Sequence, residues 1–257
     1  MSLSNPSLTT PSQRFYEWSG SRGTIEYYDK EKGERINVKL PFKFIVLDEL
    51  HTITGYNDQD QSGYWSNEVR TTREDFTVRT KRGVKYVGSY KNDQGIVQMP
   101  QGAKYAKSIY IAHKIGDDWV IGNLKASGVA LTSWIDLSGK HRTEGNITAV
   151  TGSTEGSKGA TKFLIPTFEY GGAPTGDILE IATDLDRELQ AYLTKYLNAP
   201  KFDGGGEPIA DNERVTHAAE QEEDDKAIET YKHEVAKTDT ILDDLGDEPI
   251  NLDDIPF

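Results

Sequence analysis

Not one of the 257 residues is cysteine. That excludes disulfide scaffolds, thiolate zinc ribbons and thiol catalysis. Long apolar runs are missing as well. Mean hydropathy is −0.64, and no stretch approaches the roughly 20 apolar residues of a transmembrane helix. Residues 1–13, rich in Ser, Thr, Pro and Asn, lack the basic-then-apolar layout of a secretory signal. These absences set the expectation of a cytoplasmic chain without membrane contact. Histidine is scarce, and the five residues at 51, 113, 141, 217 and 233 show no ligand spacing. There is no HExxH, no nucleophile elbow and no carboxylate cluster suited to two-metal chemistry. The chain is therefore read as non-enzymatic, with no cofactor and no metal.

Two near-motifs fail on spacing. Gly152–Gly159 resembles a phosphate loop, but Ser157 precedes Lys158 and Gly159 follows it, whereas a P-loop needs Lys directly after its second glycine, then Ser or Thr. It reads as a flexible loop. Asp58, Asp60, Ser62 and Gly63 imitate the start of a calcium loop, but the twelfth position is Val69 where a bidentate Glu is required. His113 alternates with Ile111 and Ile115 and reads as a satisfied, partly buried histidine.

What is present is charge, unevenly placed. The net charge is −13. Residues 201–257 hold 18 acidic and 5 basic side chains, so the whole excess lies there and residues 1–200 are neutral. Between Arg70 and Lys107 the balance reverses. Nine cations (Arg70, Arg73, Arg79, Lys81, Arg82, Lys85, Lys91, Lys104 and Lys107) face three acids, a net +6. Aromatics interleave with them: Trp65, Phe76, Tyr86, Tyr90, Tyr105 and Tyr110. Single-stranded nucleic acid offers a line of phosphates to cations and flat base faces to aromatics. On strand alternation Tyr86 and Tyr90 share one face of Val84–Lys91. In Lys104–Ile115, Lys104, Tyr110 and Lys114 share a face opposite Ile109, Ile111 and Ile115. The candidate nucleic-acid contacts are Arg70, Arg73, Phe76, Arg79, Lys81, Arg82, Lys85, Tyr86, Tyr90, Lys91, Lys104, Lys107 and Tyr110. The pattern is equally that of exposed strands rich in Tyr and Lys.

Residues 1–13 read as a flexible arm, 14–200 as a mainly β body and 201–257 as an acidic linker and tail. Strands are expected over Gly33–Leu47 with a kink or edge at Pro41, over Leu50–Tyr56 after a tight turn, and over Tyr64–Arg70, Phe76–Thr80 and Val84–Lys91. Further strands are expected at Ile96–Met99, Lys104–Ile115, Trp119–Leu124, Asn146–Val150 and Thr161–Tyr170. Ser127 is placed as N-cap of a short helix to Leu137. Asp177 is placed as N-cap of a long helix over Ile178–Leu197, with Ile178, Ile181, Leu185, Leu189, Tyr192, Leu193 and Tyr196 on one face.

The chain closes Asp253-Asp254-Ile255-Pro256-Phe257 after its acidic stretch. This resembles the C-terminal tip of bacterial-type single-stranded DNA-binding proteins. With its larger body, the layout resembles the bacteriophage-encoded members of that family. The resemblance implies an elaborated barrel of the oligonucleotide-binding (OB) fold with a C-terminal helix and a disordered acidic tail. It implies a protein that coats single-stranded DNA without strong sequence preference, in the bacterial host cytoplasm, and recruits replication and recombination proteins. Asp253 and Asp254 would meet a basic rim. Ile255 and Pro256 would shape the tip, Phe257 would fill an apolar pocket, and its α-carboxylate would pair with a basic residue of the partner. A homo-oligomer is left open. So are a virion-associated or structural β protein with a solubilising tail, and a nuclease or annealing recombinase docking through the tip.

Overall fold

The computed structural model describes residues 9–159 and 161–199. Most of the expected arm, and all of the expected tail with Asp253, Asp254, Ile255, Pro256 and Phe257, lie outside the described residues.

The body is mainly β. Three short strands open it: β1 (Arg14–Ser19), β2 (Thr24–Asp29) and β3 (Glu34–Asn37). Next comes β4 (Phe42–Asn57), then an insert holding β5 (Ser62–Gly63), β6 (Asp75–Thr80), β7 (Gly83–Ser89), β8 (Lys91–Asn92) and β9 (Gly95–Ile96). The chain returns through β10 (Ala103–Ile115), β11 (Asp118–Ser127), helix α1 (Gly128–Ser138), β12 (Ile147–Lys158), β13 (Thr161–Gly172) and helix α2 (Asp177–Asn198). The main sheet runs β13-β12-β4-β10-β11-β1-β2-β3, with β5 paired to β4. All its pairings are antiparallel except β1 with β11.

β4 is the spine. Pro41 separates it from β3, and the Leu40–Pro41 peptide bond is cis. The expected tight turn before Leu50 is instead a β-bulge: Asp48 pairs with Tyr110 and Val46 with Ile111, leaving Leu47 unopposed. One extra residue switches which parity of side chain faces inward. Phe42, Phe44 and Val46 lie in the core before the bulge and Ile53 after it. One 16-residue strand thereby keeps Phe42, Phe44, Val46 and Ile53 on its inner face, while Ile45 and Leu50 face the other side.

The sheet curls around α1. Trp134 and Leu137 of α1 share a core with Tyr16, Ile25, Phe44, Ile109 and Leu124, and Phe168 of β13 packs against the same cluster. The Leu164 amide donates to the Gly20 carbonyl at 2.7 Å, and the Trp18 indole N–H donates to the Leu164 carbonyl at 2.8 Å. These single bonds span the gap between the hairpin β12–β13 and the β1–β2 turn. Among the described residues no strand ladder closes it, so the sheet is not a closed barrel. The Gly152–Gly159 segment, expected as a loop, is strand to Lys158 and pairs with β13.

Helix α2 packs on the opposite, outer face. Leu189 and Leu193 close against Leu50, Tyr110 and Ile121, and Ala182 against Ile45 and Ala112. The expected apolar stripe is correct in its middle; Ile178 at its start is exposed. Its N-cap is Gly176 rather than Asp177, and α1 follows Ser127, whose side chain makes no capping bond. Among the described residues no helix is long and apolar enough to cross a membrane.

Candidate nucleic-acid interface

The insert between β4 and β10 carries most of the basic segment. At its neck the strands touch backbone to backbone. A Cβ on Gly55 would stand 2.0 Å from the Gly102 carbonyl oxygen, and one on Gly102 2.1 Å from that of Tyr56. Both glycines have positive φ, so only glycine fits there. Inside the insert Phe76 and Val78 are fully buried with Ile53, Tyr64, Val69 and Tyr105. The expected strand over Tyr64–Arg70 is not formed. Only two isolated bridges occur there, Trp65 with Arg79 and Val69 with His51.

The structure separates the sequence-predicted residues into two groups. Phe76 is 0% exposed and Tyr110 3%, so neither ring offers a face to a base. Phe76 packs inside the insert, and Tyr110 lies beneath α2 because both faces of β10 are covered, one by α1 and one by α2. Burial pushes the Tyr110 phenol well above its ordinary range. Tyr86 and Tyr90 are half-buried against the insert core. Tyr86 donates to the Ser89 carbonyl at 2.8 Å, and Tyr90 stacks on Tyr105 at 4.7 Å between ring centroids. Tyr105 stacks in turn on His51 and hydrogen-bonds to its Nδ1.

Several cations are already paired. Arg70 binds Asp48, which raises the guanidinium's pKa. Lys107 Nζ lies 2.7 Å from Glu49, whose other oxygen accepts from the Trp134 indole and the Thr143 hydroxyl. Lys85 Nζ lies 2.6 Å from the buried Asp60, which also accepts from Thr80 and sits 3.8 Å from Arg82. The Lys85 and Thr80 bonds hold the Asp60 carboxyl below its ordinary range. The carboxylate of the near-calcium motif therefore faces side-chain cations. Asp48, Glu49 and Asp60 all lie outside 70–107, so the net +6 counted along the chain is partly cancelled in space.

The outward cations are Arg73, Lys81 and Arg82. Arg73 is 63% exposed and pairs with the exposed Asp93, a pairing of little strength in water. Lys81 caps the Gln61 carbonyl at 2.8 Å, and with Arg82 it forms the exposed β6–β7 turn. Arg79, Lys91 and Lys104 are half-buried and engaged by neighbours.

Sequence reasoning missed Val84, Val87 and Ile96, which are exposed apolar side chains of this same insert. A bulge hides them. Val78 pairs with Tyr86 and Arg79 with Val84, leaving Lys85 extra, so simple alternation misassigns the faces of β7. Compared with known proteins, the chain matches no family model, no curated protein and no solved structure.

Proposed function

We propose that the chain is a single-stranded DNA-binding protein, non-catalytic, whose body contacts DNA through the insert. Five strands in the order β4, β10, β11, β12 and β13, with α1 between the third and fourth, support an elaborated OB-type core. In that fold the first two strands are joined by a loop that contributes to oligonucleotide binding. The single observation that carries the reading is that the cation-rich insert occupies this position, with Lys81, Arg82 and Arg73 exposed. On the same reading the acidic segment 201–257 is a tail whose tip, Asp253 to Phe257, recruits replication and recombination proteins. The decisive measurement is a mobility shift with single- and double-stranded oligonucleotides, on the full chain and on one lacking 201–257. Retarded single strands and unretarded duplex are expected for both. Failure to retard single strands overturns the proposal.

A further inference from the structure

In an OB-type core the face of the second and third strands is the usual oligonucleotide platform. Here those strands are β10 and β11, and α2 covers their outer face. The cover is built in. Leu189 and Leu193 are 0% and 1% exposed against Leu50, Tyr110 and Ile121. Gln190 Nε2–H donates to Asp48 Oδ2 at 2.8 Å, and the Glu68 amide donates to the Tyr196 hydroxyl oxygen at 2.9 Å.

The hairpin β6–β7 offers another surface. Phe76, Val78 and Thr80 point into the insert core, so Thr77 and Arg79 point out. Register sets Val87 opposite Thr77 and Val84 opposite Arg79, and directly opposed residues share a face. Val84 is 43% exposed and Val87 58%. The turn at one end of this face holds Lys81 and Arg82, both exposed. A second copy pairing along the β7 edge is opposed by the bulge at Lys85, a device that blunts edge strands. Apolar surface bordered by cations complements a polyanion with flat apolar bases.

We infer that single-stranded nucleic acid lies across the outer face of the β6–β7 hairpin, bases against Val84 and Val87 and phosphates on Lys81 and Arg82, while α2 keeps the β10–β11 face closed. This inference rests on the nucleic-acid reading above. It is tested on the full chain by hydrogen–deuterium exchange with and without an unstructured oligothymidylate, complex formation being scored by mobility shift in the same sample. The expected result is new protection over 77–89 and unchanged protection over 182–196. The V84S/V87S double variant changes only exposed side chains and should bind at least about tenfold more weakly, while buried Y110F binds normally. Loss of protection over 182–196, new protection confined to 106–124, or normal binding by V84S/V87S overturns the inference with the DNA reading intact. Absence of any complex overturns both.

Discussion

Tyr110 donates its phenolic hydrogen to Glu68 Oε2 at 2.6 Å from beneath helix α2. The Glu68 amide in turn donates to Tyr196 near the end of that helix. One residue thus joins the central strand β10, the insert and α2. Tyr110→Phe removes only the hydroxyl and, with it, the hydrogen bond to Glu68. The expected cost is about 1–2 kcal/mol in urea unfolding, with oligonucleotide affinity unchanged. A loss of affinity at constant stability would return Tyr110 to the binding face.

The periodicity of Leu185, Leu189 and Leu193 made α2 legible, because a helix read by spacing needs no partner to be known. Strand faces were less so. The bulges at Leu47 and Lys85 each shift parity by one residue, and nothing local marks them. At Leu47 the shift imitates a turn, and at Lys85 it concealed the shared face of Val84 and Val87. The inner parts of β12 and β13 were legible, but the far half of β12, to Lys158, was hidden by composition. Gly156 lies against Phe163, where a Cβ would come within 2.4 Å of the ring, so its lack of a side chain serves packing rather than flexibility. Charge failed differently: Asp48–Arg70, Glu49–Lys107 and Asp60–Lys85 join residues distant in sequence, and a running sum cannot pair them.

His113 should make stability depend on pH. It is 1% exposed. Its Nδ1–H donates to the Lys114 carbonyl at 3.1 Å, so Nε2 accepts from the Tyr16 hydroxyl at 3.2 Å. Gly122 leaves room for this pair, since a Cβ there would lie 2.8 Å from Nε2. Burial lowers the imidazole pKa from 6.5 to about 4. Between those values the unfolded chain takes up a proton that the folded chain refuses, so falling pH favours unfolding. This residue should cost about 3 kcal/mol on going from pH 7 to 4. Glu26 acts oppositely, because burial raises its pKa despite Arg22 and Arg35. The measurement is therefore a difference: unfolding free energy against pH for the parent and for His113→Gln, in which the His113 contribution to the slope should vanish.

The neck of the insert should tolerate no side chain. Gly102→Ala places a methyl against the Tyr56 carbonyl at a positive φ, and neither backbone can retreat without breaking the Tyr56 amide bond to the Gly102 carbonyl. Thermal melting should fall by several degrees, consistent with about 1–3 kcal/mol of strain. Gly95→Ala is the control. Its φ is also positive but no atom lies within 4 Å of the added Cβ, so its loss should be smaller.

Ion pairing divides the cations into those that hold the fold and those that can meet phosphate. Lys107 sits 20% exposed against Glu49 at 11%. Among the described residues, Lys107→Ala leaves that carboxylate with the Trp134 and Thr143 donors. It should lower stability by about 1–3 kcal/mol, and the salt dependence of oligonucleotide binding should not move. Lys81 and Arg82 are at an exposed turn, where substitution should change stability by no more than about 0.5 kcal/mol. If each neutralises one phosphate, the double alanine variant should reduce the magnitude of the log K against log salt slope by about 1.4, at ~0.7 per single-strand phosphate. Titrations at four salt concentrations on the parent, Lys107→Ala and the Lys81→Ala/Arg82→Ala pair distinguish the roles. A slope that flattens for Lys107→Ala but not for the pair would mean that the Glu49 ion pair opens on binding and that the β6–β7 turn stays away from the DNA.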